Sequence, residues 1–135
     1  MEREIFETRF KVRSYECDSY GHVNNAVYLN YLEYGRMEAL EAMGITLERL
    51  KREAGALVVI RRIDIEYFWP ATMGETLVVK TYVKEGRRSS GIFRQEIYRE
   101  PDGKKIAAAD VTWVFVDLEG RPIAIPQMVR EAFRL

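Results

Sequence analysis

The densest group of chemically active side chains lies between residues 18 and 25, Asp18-Ser19-Tyr20-Gly21-His22-Val23-Asn24-Asn25. This segment combines a carboxylate, two amides and the only histidine of the chain. A helical pattern follows directly, so these groups lie before a helix N-terminus, with its unpaired N–H groups and positive dipole end. Such a site can stabilise the oxyanion formed when water or a carboxylate attacks a carbonyl. The residues leave a second interpretation open, in which Asp18 and the asparagines only fix a turn and cap the helix.

Two other residues could supply the reactive group. Cys17 precedes Asp18, but a neighbouring carboxylate raises the pKa of a thiol, and adjacent side chains of an extended segment point to opposite sides. We therefore expect Cys17 to pack in the core. Glu33 lies about two turns into the predicted helix, where we expect an ion pair with Arg36 or Arg62 rather than catalysis.

The elements that position these groups can be read from periodicity. Apolar and charged residues alternate from Phe6 to Tyr15, which predicts a half-buried strand. Helical spacing from Asn25 to Met43 predicts a long helix, with Asn24 or Asn25 as N-cap and Gly44 ending it. Gly35 weakens a helix by roughly 1 kcal/mol relative to alanine, so we expect a sheet to approach closely there.

The rest of the chain is typical of strands joined by short turns. We expect a short helix, four strands with a bulge at Arg61-Arg62, and a final helical turn or two: 47–53, 57–68, 76–85, 91–99, 105–117 and 127–134. Pro101-Asp102-Gly103 suits a hairpin turn, and short connections imply antiparallel neighbours. We therefore predict an α+β fold, in which a curved antiparallel sheet of five to six strands wraps one long helix, as a single domain over residues 1–135.

Subunit association is also expected. The last strand carries apolar residues on both faces, and a sheet of this size has open edges. The simplest solution is a two-fold homodimer, which can associate further into a dimer of dimers.

Composition excludes several classes of function. Lys plus Arg and Asp plus Glu are balanced at 21 each, which argues against a nucleic-acid partner. No apolar run approaches the roughly 20 residues of a membrane helix, and the charged N-terminus does not look like a signal peptide. A single cysteine favours a reducing cytoplasm. With one histidine, one cysteine and no Gly-rich phosphate loop, we expect neither a metal site nor a cofactor.

The stretch YECDSYGHVNNAVYLNYLEYGR, residues 15–36, resembles the signature of hotdog-fold acyl-CoA thioesterases of the 4-hydroxybenzoyl-CoA thioesterase type. The matching pattern is an Asp, then GHVNN, a Tyr ten residues after the Asp, and YLEYGR in the helix. Weaker similarities follow in the expected order: the FWP turn, RRSSGIFRQEI, and the closing VFVD. The resemblance implies a hotdog fold that hydrolyses an acyl-CoA to a free acid and CoA, with CoA as part of the substrate.

The resemblance also implies roles for individual residues. Asp18 matches the catalytic carboxylate, which either attacks the thioester to give an anhydride or activates water as a base. Asn25 matches the position whose backbone N–H binds the thioester carbonyl. His22 would position water or hydrogen-bond Asp18, the alternative being that it only orders the loop. Asn24 and Tyr28 would lie against the substrate.

A basic segment between two predicted strands is the candidate for holding the nucleotide of CoA. Basic side chains with nearby hydroxyls at a loop can bind phosphates, and the resemblance implies CoA contacts in this region. The candidates are Arg87, Arg88 and Ser89, with Arg62 on a neighbouring strand. The alternative is an ordinary charged hairpin.

Three other functions compete with acyl-CoA hydrolysis. A thioesterase for acyl-carrier proteins would use the same chemistry but needs a basic patch for its acidic partner. A hotdog dehydratase would place a histidine and an acid around an apolar-Pro-Gly stretch, which this sequence lacks. A non-catalytic acyl-CoA-binding protein would not need a carboxylate before the helix, so Asp18 argues against it.

Overall fold

The computed structural model describes residues 4–135 and contains five strands and three helices. The strands are β1 (Phe6–Lys11), β2 (Ala56–Tyr67), β3 (Thr76–Gly86), β4 (Ser90–Glu100) and β5 (Lys105–Asp117). The helices are α1 (Val27–Ala42), α2 (Leu47–Arg49), which continues into a π-helical turn at Leu50–Ala54, and α3 (Gln127–Phe133).

All five strands form one antiparallel sheet in the order β1-β3-β4-β5-β2. β4 and β5 form the expected hairpin around residues 101–104. The pairing of β2 with β5 shifts register between Ile60 and Arg62, which confirms the predicted bulge. The antiparallel α+β architecture is therefore as predicted, with β1 and β2 as the edge strands.

Helix α1 packs against the inner face of the sheet at Gly35. A Cβ atom at Gly35 would lie 2.8 Å from Val79 Cγ1 and 3.2 Å from Thr81 Oγ1. The Gln95 side chain links the two layers, because its Nε2 donates to the Leu32 carbonyl and to Thr81 Oγ1, both at 2.9 Å. The close approach expected at this glycine is confirmed.

The two faces of β5 differ. Its inner face is buried against α1 and the loops through Ala107, Ala109, Val111, Trp113 and Phe115. Its outer face is apolar at both ends, as predicted, with Ile106, Ala108 and Val116 buried and Val114 half-buried. At the centre of that outer face, Asp110 pairs with Lys84 at 2.8 Å and Arg94 at 3.2 Å.

The predicted boundaries around the Asp18 loop were wrong. β1 ends at Lys11 rather than Tyr15, because Ser14–Glu16 forms a 3₁₀ turn in which the Arg13 backbone N–H donates to the Glu16 carboxylate. α1 begins at Val27 with Ala26 as its N-cap, so neither Asn24 nor Asn25 occupies that position.

The ion pair predicted for Glu33 was also wrong. Arg36 turns towards the sheet, where its Nη1 donates to Gln95 Oε1 at 3.1 Å. The carboxylate near Arg62 is that of Asp64, at 3.7 Å. Glu33 is exposed and forms no ion pair within residues 4–135.

Candidate active site

Asp18 begins a tight turn at one end of the sheet. Its backbone N–H donates to the His22 carbonyl at 2.8 Å, and the Gly21 N–H donates to the Asp18 carbonyl at 3.0 Å. Asp18 Oδ1 accepts from the backbone N–H groups of Tyr20 and His22, at 2.9 and 3.2 Å. Within residues 4–135 no group donates to Oδ2, and the side chain is exposed. Asp18 therefore fixes a turn with one oxygen and leaves the other available.

Near the start of α1, the backbone donor of Asn25 has no acceptor among residues 4–135. Asn24 uses both of its oxygens, because Oδ1 accepts the Ala26 N–H at 3.1 Å and the carbonyl accepts the Val27 N–H at 2.9 Å. The N–H of Asn25 has no acceptor in the described part of the chain. The Asn25 carbonyl is held by the Tyr67 hydroxyl, which donates to it at 3.1 Å. An exposed N–H next to a helix N-terminus can bind a developing oxyanion.

Glu16 supports the Asp18 loop from the buried side. It was not among the site residues predicted from the sequence. It is 7% exposed, and its carboxylate accepts the Tyr31 hydroxyl at 3.0 Å and the Arg13 guanidinium at 2.7 Å. Burial raises the pKa of Glu16, but the hydrogen bonds from Arg13 and Tyr31 outweigh burial and hold that pKa below its ordinary value. The only signal in the sequence was an acidic residue beside the reactive cluster, which does not reveal burial.

Tyr28 and the segment after β2 support the other side of the loop. The Tyr28 hydroxyl accepts the Ala71 N–H at 3.1 Å, and the Ala71 carbonyl accepts the Val23 N–H at 2.9 Å. Tyr28 is only 3% exposed, and burial raises its pKa. The backbone of His22 pairs with Thr72, while its imidazole is exposed and forms no hydrogen bond within residues 4–135. The link from His22 to Asp18 therefore uses the backbone N–H, not the ring.

Cys17 packs as expected. It is half-buried against the core, and its thiol lies 3.7 Å from the Arg13 carbonyl. Burial raises the thiol pKa, and the carboxylates of Glu16 and Asp18 raise it further. Because the thiolate is the nucleophilic form, this environment disfavours a reactive cysteine.

Three of the predicted nucleotide-binding residues lie at the opposite end of the sheet from Asp18, while Arg62 lies in the middle of β2. The Asp18 loop contacts Thr72 and Met73, which precede β3, whereas Arg87, Arg88 and Ser89 follow its far end. At about 3.3 Å per residue, the eleven residues of β3 span roughly 35 Å. The structure therefore does not bring these residues together with Asp18 in one subunit.

The three hairpin residues differ in their contacts. Arg87 is paired with Glu85 at 3.0 Å, whereas the exposed Arg88 side chain has no partner within residues 4–135. The carbonyls of both arginines accept hydrogen bonds from Arg130 of α3. Of the two arginines of this hairpin, only Arg88 therefore offers an unpaired charge to a phosphate. Arg130, which holds the hairpin backbone, was not among the residues predicted from the sequence.

Two general features of the described residues bear on ligands. No helix within residues 4–135 is both long and apolar enough to cross a membrane. Across the same residues, His, Cys, Asp and Glu side chains do not come together in a group that could hold a metal ion.

Comparison with known proteins shows that the chain is similar to thioesterases. The model of the thioesterase-like superfamily matches residues 12–133. The long-chain acyl-CoA thioesterase FadM of Escherichia coli is 36% identical over 93% of this chain and 94% of its own length. A chloroplastic acyl-acyl carrier protein thioesterase of Arabidopsis thaliana is 35% identical over 96% of this chain and 68% of its own. A 1,4-dihydroxy-2-naphthoyl-CoA thioesterase from Synechocystis shares the fold, with a TM-score of 0.90, 19% identity and coverage of 97% and 96%.

Proposed function

The chain belongs to the thioesterase-like superfamily and is a thioester hydrolase, and we propose that it cleaves acyl-CoA at the Asp18 loop. The observation that carries the proposal is the pairing of a half-free carboxylate with a free backbone donor. Asp18 keeps Oδ2 available, and the Asn25 N–H is unpaired at the start of α1. These are the two groups that thioester hydrolysis needs, one to deliver oxygen and one to stabilise the oxyanion.

The reaction can follow two routes from this geometry. In the first, Asp18 takes a proton from water, the resulting hydroxide adds to the thioester carbonyl, and the C–S bond breaks to release CoA as thiolate. In the second, an Asp18 oxygen attacks the carbonyl, CoA leaves, and water cleaves the acyl–Asp18 anhydride. In both, the Asn25 N–H would hold the oxyanion. Since Asp18, water and a backbone donor supply every group, we propose that no cofactor is needed.

Oxygen labelling separates the two routes. A single turnover in ¹⁸O-water would place ¹⁸O in the released acid if Asp18 acts as a base. If Asp18 is the nucleophile, water can attack the aspartyl carbonyl and leave ¹⁸O in the peptide that contains Asp18, which mass spectrometry detects. Release of free thiol across a panel of acyl-CoAs tests the activity itself. Absence of thiol release with every acyl-CoA and acyl-carrier protein would refute the hydrolase assignment.

Neighbouring residues have supporting roles in this proposal. We propose that His22 holds the attacking water near Asp18, since its exposed imidazole forms no hydrogen bond within residues 4–135. Asn24 accepts hydrogen bonds from the N–H groups of Ala26 and Val27, so neither of these two donors is free to bind the oxyanion. Tyr28 is buried and acts through Ala71 and the Tyr67 ring, 5.3 Å away, so its effect on the acyl group is indirect.

We propose a two-fold homodimer formed through the edge strand β2. This strand is 12 residues long, with no neighbour on one side, and Leu57, Val59, Ile60 and Tyr67 are each 37–47% exposed. A long apolar edge favours pairing with another chain, and a two-fold axis would set two copies of β2 antiparallel.

This dimer would complete the substrate site. Antiparallel pairing of β2 would bring the far end of the partner's sheet beside the Asp18 end of the first subunit. The partner subunit's Arg88 would then lie three to four strands from the end of β2 at which Tyr67 holds the Asn25 carbonyl, about 15–20 Å at roughly 4.8 Å per strand. The nucleotide of CoA would bind there, with Ser89 and Arg87 of the same hairpin and Arg62 of β2 as further polar contacts. A second association through the outer sheet face would give a dimer of dimers.

Sedimentation measures the assembly directly. The native protein is expected as a dimer or tetramer, and Val59→Lys on the exposed edge should shift it towards monomer and lower the hydrolysis rate. A Glu119→Lys control in an exposed turn should change neither property. We also propose a cytoplasmic location, which suits a chain whose single cysteine is free.

A carrier-protein thioester is the second candidate substrate. The support is the 35% identity to the plant acyl-acyl carrier protein thioesterase. The two substrates share the acyl group and the pantetheine arm, so Asp18 would act identically on both. The ratio of kcat/KM for acyl-CoA and acyl-carrier protein of the same chain length decides between them.

A further inference from the structure

Arg36 is a buried cation without an acidic partner in its own subunit. It is 7% exposed, and its one hydrogen bond within residues 4–135 runs from Nη1 to the neutral amide oxygen of Gln95. Burial holds the pKa of the guanidinium below its ordinary value, although the charge of Glu33 on the same helix opposes this. Because a buried charge is costly unless it is paired, the guanidinium needs a carboxylate that one subunit does not supply.

The guanidinium can be reached from outside the subunit. Its Nε and Nη2 have no acceptor within residues 4–135. In that range, however, Trp113 Nε1 is the only fully buried side-chain nitrogen or oxygen without a hydrogen bond. The two unpaired nitrogens of Arg36 are therefore in contact with solvent, while the rest of the side chain is covered.

Arg36 lies on the side of α1 that faces the edge strand β2. Tyr28, Arg36 and Leu40 share this side, because they are spaced by one or two helical turns. At one end the Tyr28 ring lies 5.3 Å from that of Tyr67 of β2, and at the other end Leu40 and Val58 of β2 line the same small apolar cavity. Since no strand lies beyond β2, this side of α1 opens onto the edge where the dimer is proposed.

The neighbouring row of side chains on α1 carries an acid without a base. Leu29, Glu33 and Met37 follow one another at one-turn intervals, and all three are exposed, the two apolar ones at 38% and 36%. Glu33 forms no ion pair within residues 4–135. Apolar side chains on either side of a charge are typical of contacts between helices, because they exclude water from the ion pair.

We propose that α1 packs antiparallel against α1 of a second copy of the chain, where Glu33 of one subunit pairs with Arg36 of the partner subunit, and the reverse. A two-fold axis makes the two contacts equivalent, so both unpaired acids and both buried bases are matched at once. The axis then passes midway between residues 33 and 36, which is the centre of the 16-residue helix.

This inference rests on the proposed dimer through β2 and adds the contact that fixes its register. Paired edge strands can slide along each other, whereas a partly buried ion pair is satisfied in one register only. That register would set the distance from Asp18 to the partner subunit's Arg88, and with it the geometry of the shared substrate site.

Charge reversal tests the pair through the choice of partner. Glu33→Arg places an arginine against Arg36 of the partner subunit, and Arg36→Glu sets two acids together, so sedimentation should show dimers weakened by about tenfold or more in each. Mixing the two variants restores both pairs, and the heterodimer should form about tenfold or more tightly than either homodimer. Glu41→Arg, exposed two turns beyond Glu33 on α1, is the matched control and should dimerise like the native protein.

Neutral variants test the same pair without placing an acid in the core. Glu33→Gln should weaken the native dimer by about tenfold or more, but by less than about twofold in an Arg36→Met background, where the acid has already lost its partner. Equal weakening in the two backgrounds, or no preference for the heterodimer, would overturn the proposal.

The same measurements separate this contact from the dimer and from hydrolysis. If Val59→Lys dissociates the protein and Glu33→Arg does not, the dimer through β2 stands and the contact between the helices is refuted. A native protein that sediments as a monomer would refute both. Sedimentation needs no substrate, so failure of the thioesterase proposal would leave this test unchanged.

Discussion

The turn at Asp18 has a close counterpart at the opposite end of the sheet, at Asp117. There the Asp117 N–H donates to the Arg121 carbonyl at 2.8 Å, and Oδ1 accepts from the N–H groups of Glu119 and Arg121, both at 2.9 Å. The Asp18 turn has the same set of bonds. Residues flanking each turn also pair, Cys17 with Val23 and Val116 with Pro122.

The surroundings of the two turns differ. The Asp18 turn leads into α1 and its unpaired Asn25 N–H, and rests on the buried Glu16. The Asp117 turn leads into an irregular segment before α3. Turn formation alone therefore accounts for the hydrogen bonds to one carboxylate oxygen of each aspartate. A catalytic role for Asp18 requires the neighbouring backbone donor of Asn25. Asp117 has the same turn geometry without that donor, so its variants are controls for the turn itself.

The largest expected difference is between Asp18→Asn and Asp117→Asn. Asparagine keeps an oxygen for the turn but loses the basic, nucleophilic carboxylate, so Asp18→Asn should lower kcat by roughly 1,000-fold or more. Asp117→Asn should leave kcat within about twofold. Thiol release from an acyl-CoA measures both. Equal losses in the two variants would mean that the turn, not the carboxylate, supports activity.

The next largest effect should come from Glu16→Gln, because only the Asp18 turn has a buried carboxylate behind it. Losing the charge weakens the bonds from Arg13 and Tyr31, which should cost about 2–3 kcal/mol of unfolding free energy at pH 7. The folded-state pKa of Glu16 is lowered, so its stabilisation is complete above about pH 4.5 and is lost as pH falls through the folded value.

Urea denaturation from pH 7 to pH 3.5 measures this. The difference between the native protein and Glu16→Gln should shrink as the pH falls below about 4.5. Glu119→Gln is the matched control beside Asp117, where an exposed ion pair with Arg121 should contribute less than about 1 kcal/mol. A pH-independent difference for Glu16→Gln would show that its carboxylate has an ordinary pKa.

Arg88→Ala and Arg121→Ala compare two exposed arginines at the far end of the sheet. Arg88 has no partner within residues 4–135, whereas Arg121 is paired with Glu119. If the partner subunit's Arg88 binds a CoA phosphate, Arg88→Ala should raise KM for acyl-CoA about five- to tenfold. It should not change KM for an acyl-pantetheine, and Arg121→Ala should change neither. Equal effects on both substrates would remove Arg88 from the phosphate site.

The elements around the two turns could be predicted from the sequence, but the contacts that distinguish the Asp18 turn from the Asp117 turn could not. Periodicity located the strands and α1, because repeating patterns report which face is buried. The cost of a glycine inside a helix predicted the close approach at Gly35. Asp-x-x-Gly occurs at both turns, and the features that predict a site at Asp18 are the helix that follows it and the family resemblance.

The remaining features depend on side chains meeting in space. Asn24 accepts the N–H groups of Ala26 and Val27 but not that of Asn25, and Glu16 is buried where Tyr31 and Arg13 reach it. Residue types do not reveal such pairings. For the same reason, spacing on the helix suggested an ion pair between Glu33 and Arg36, whereas Gln95 of the sheet takes the arginine.

The smallest expected effect comes from Gly21→Ala and Gly120→Ala, which strain both turns equally. Both glycines have positive φ angles, +80° and +85°, and a Cβ atom at either would meet no atom within 4 Å. The cost is therefore conformational, about 1–2 kcal/mol in each variant. Thermal denaturation should show similar losses for the two. Only Gly21→Ala should also lower kcat/KM, since the strained turn holds Asp18. If Gly120→Ala lowered kcat/KM as much, global loosening would explain both, and the geometry of the Asp18 turn would not be what catalysis depends on.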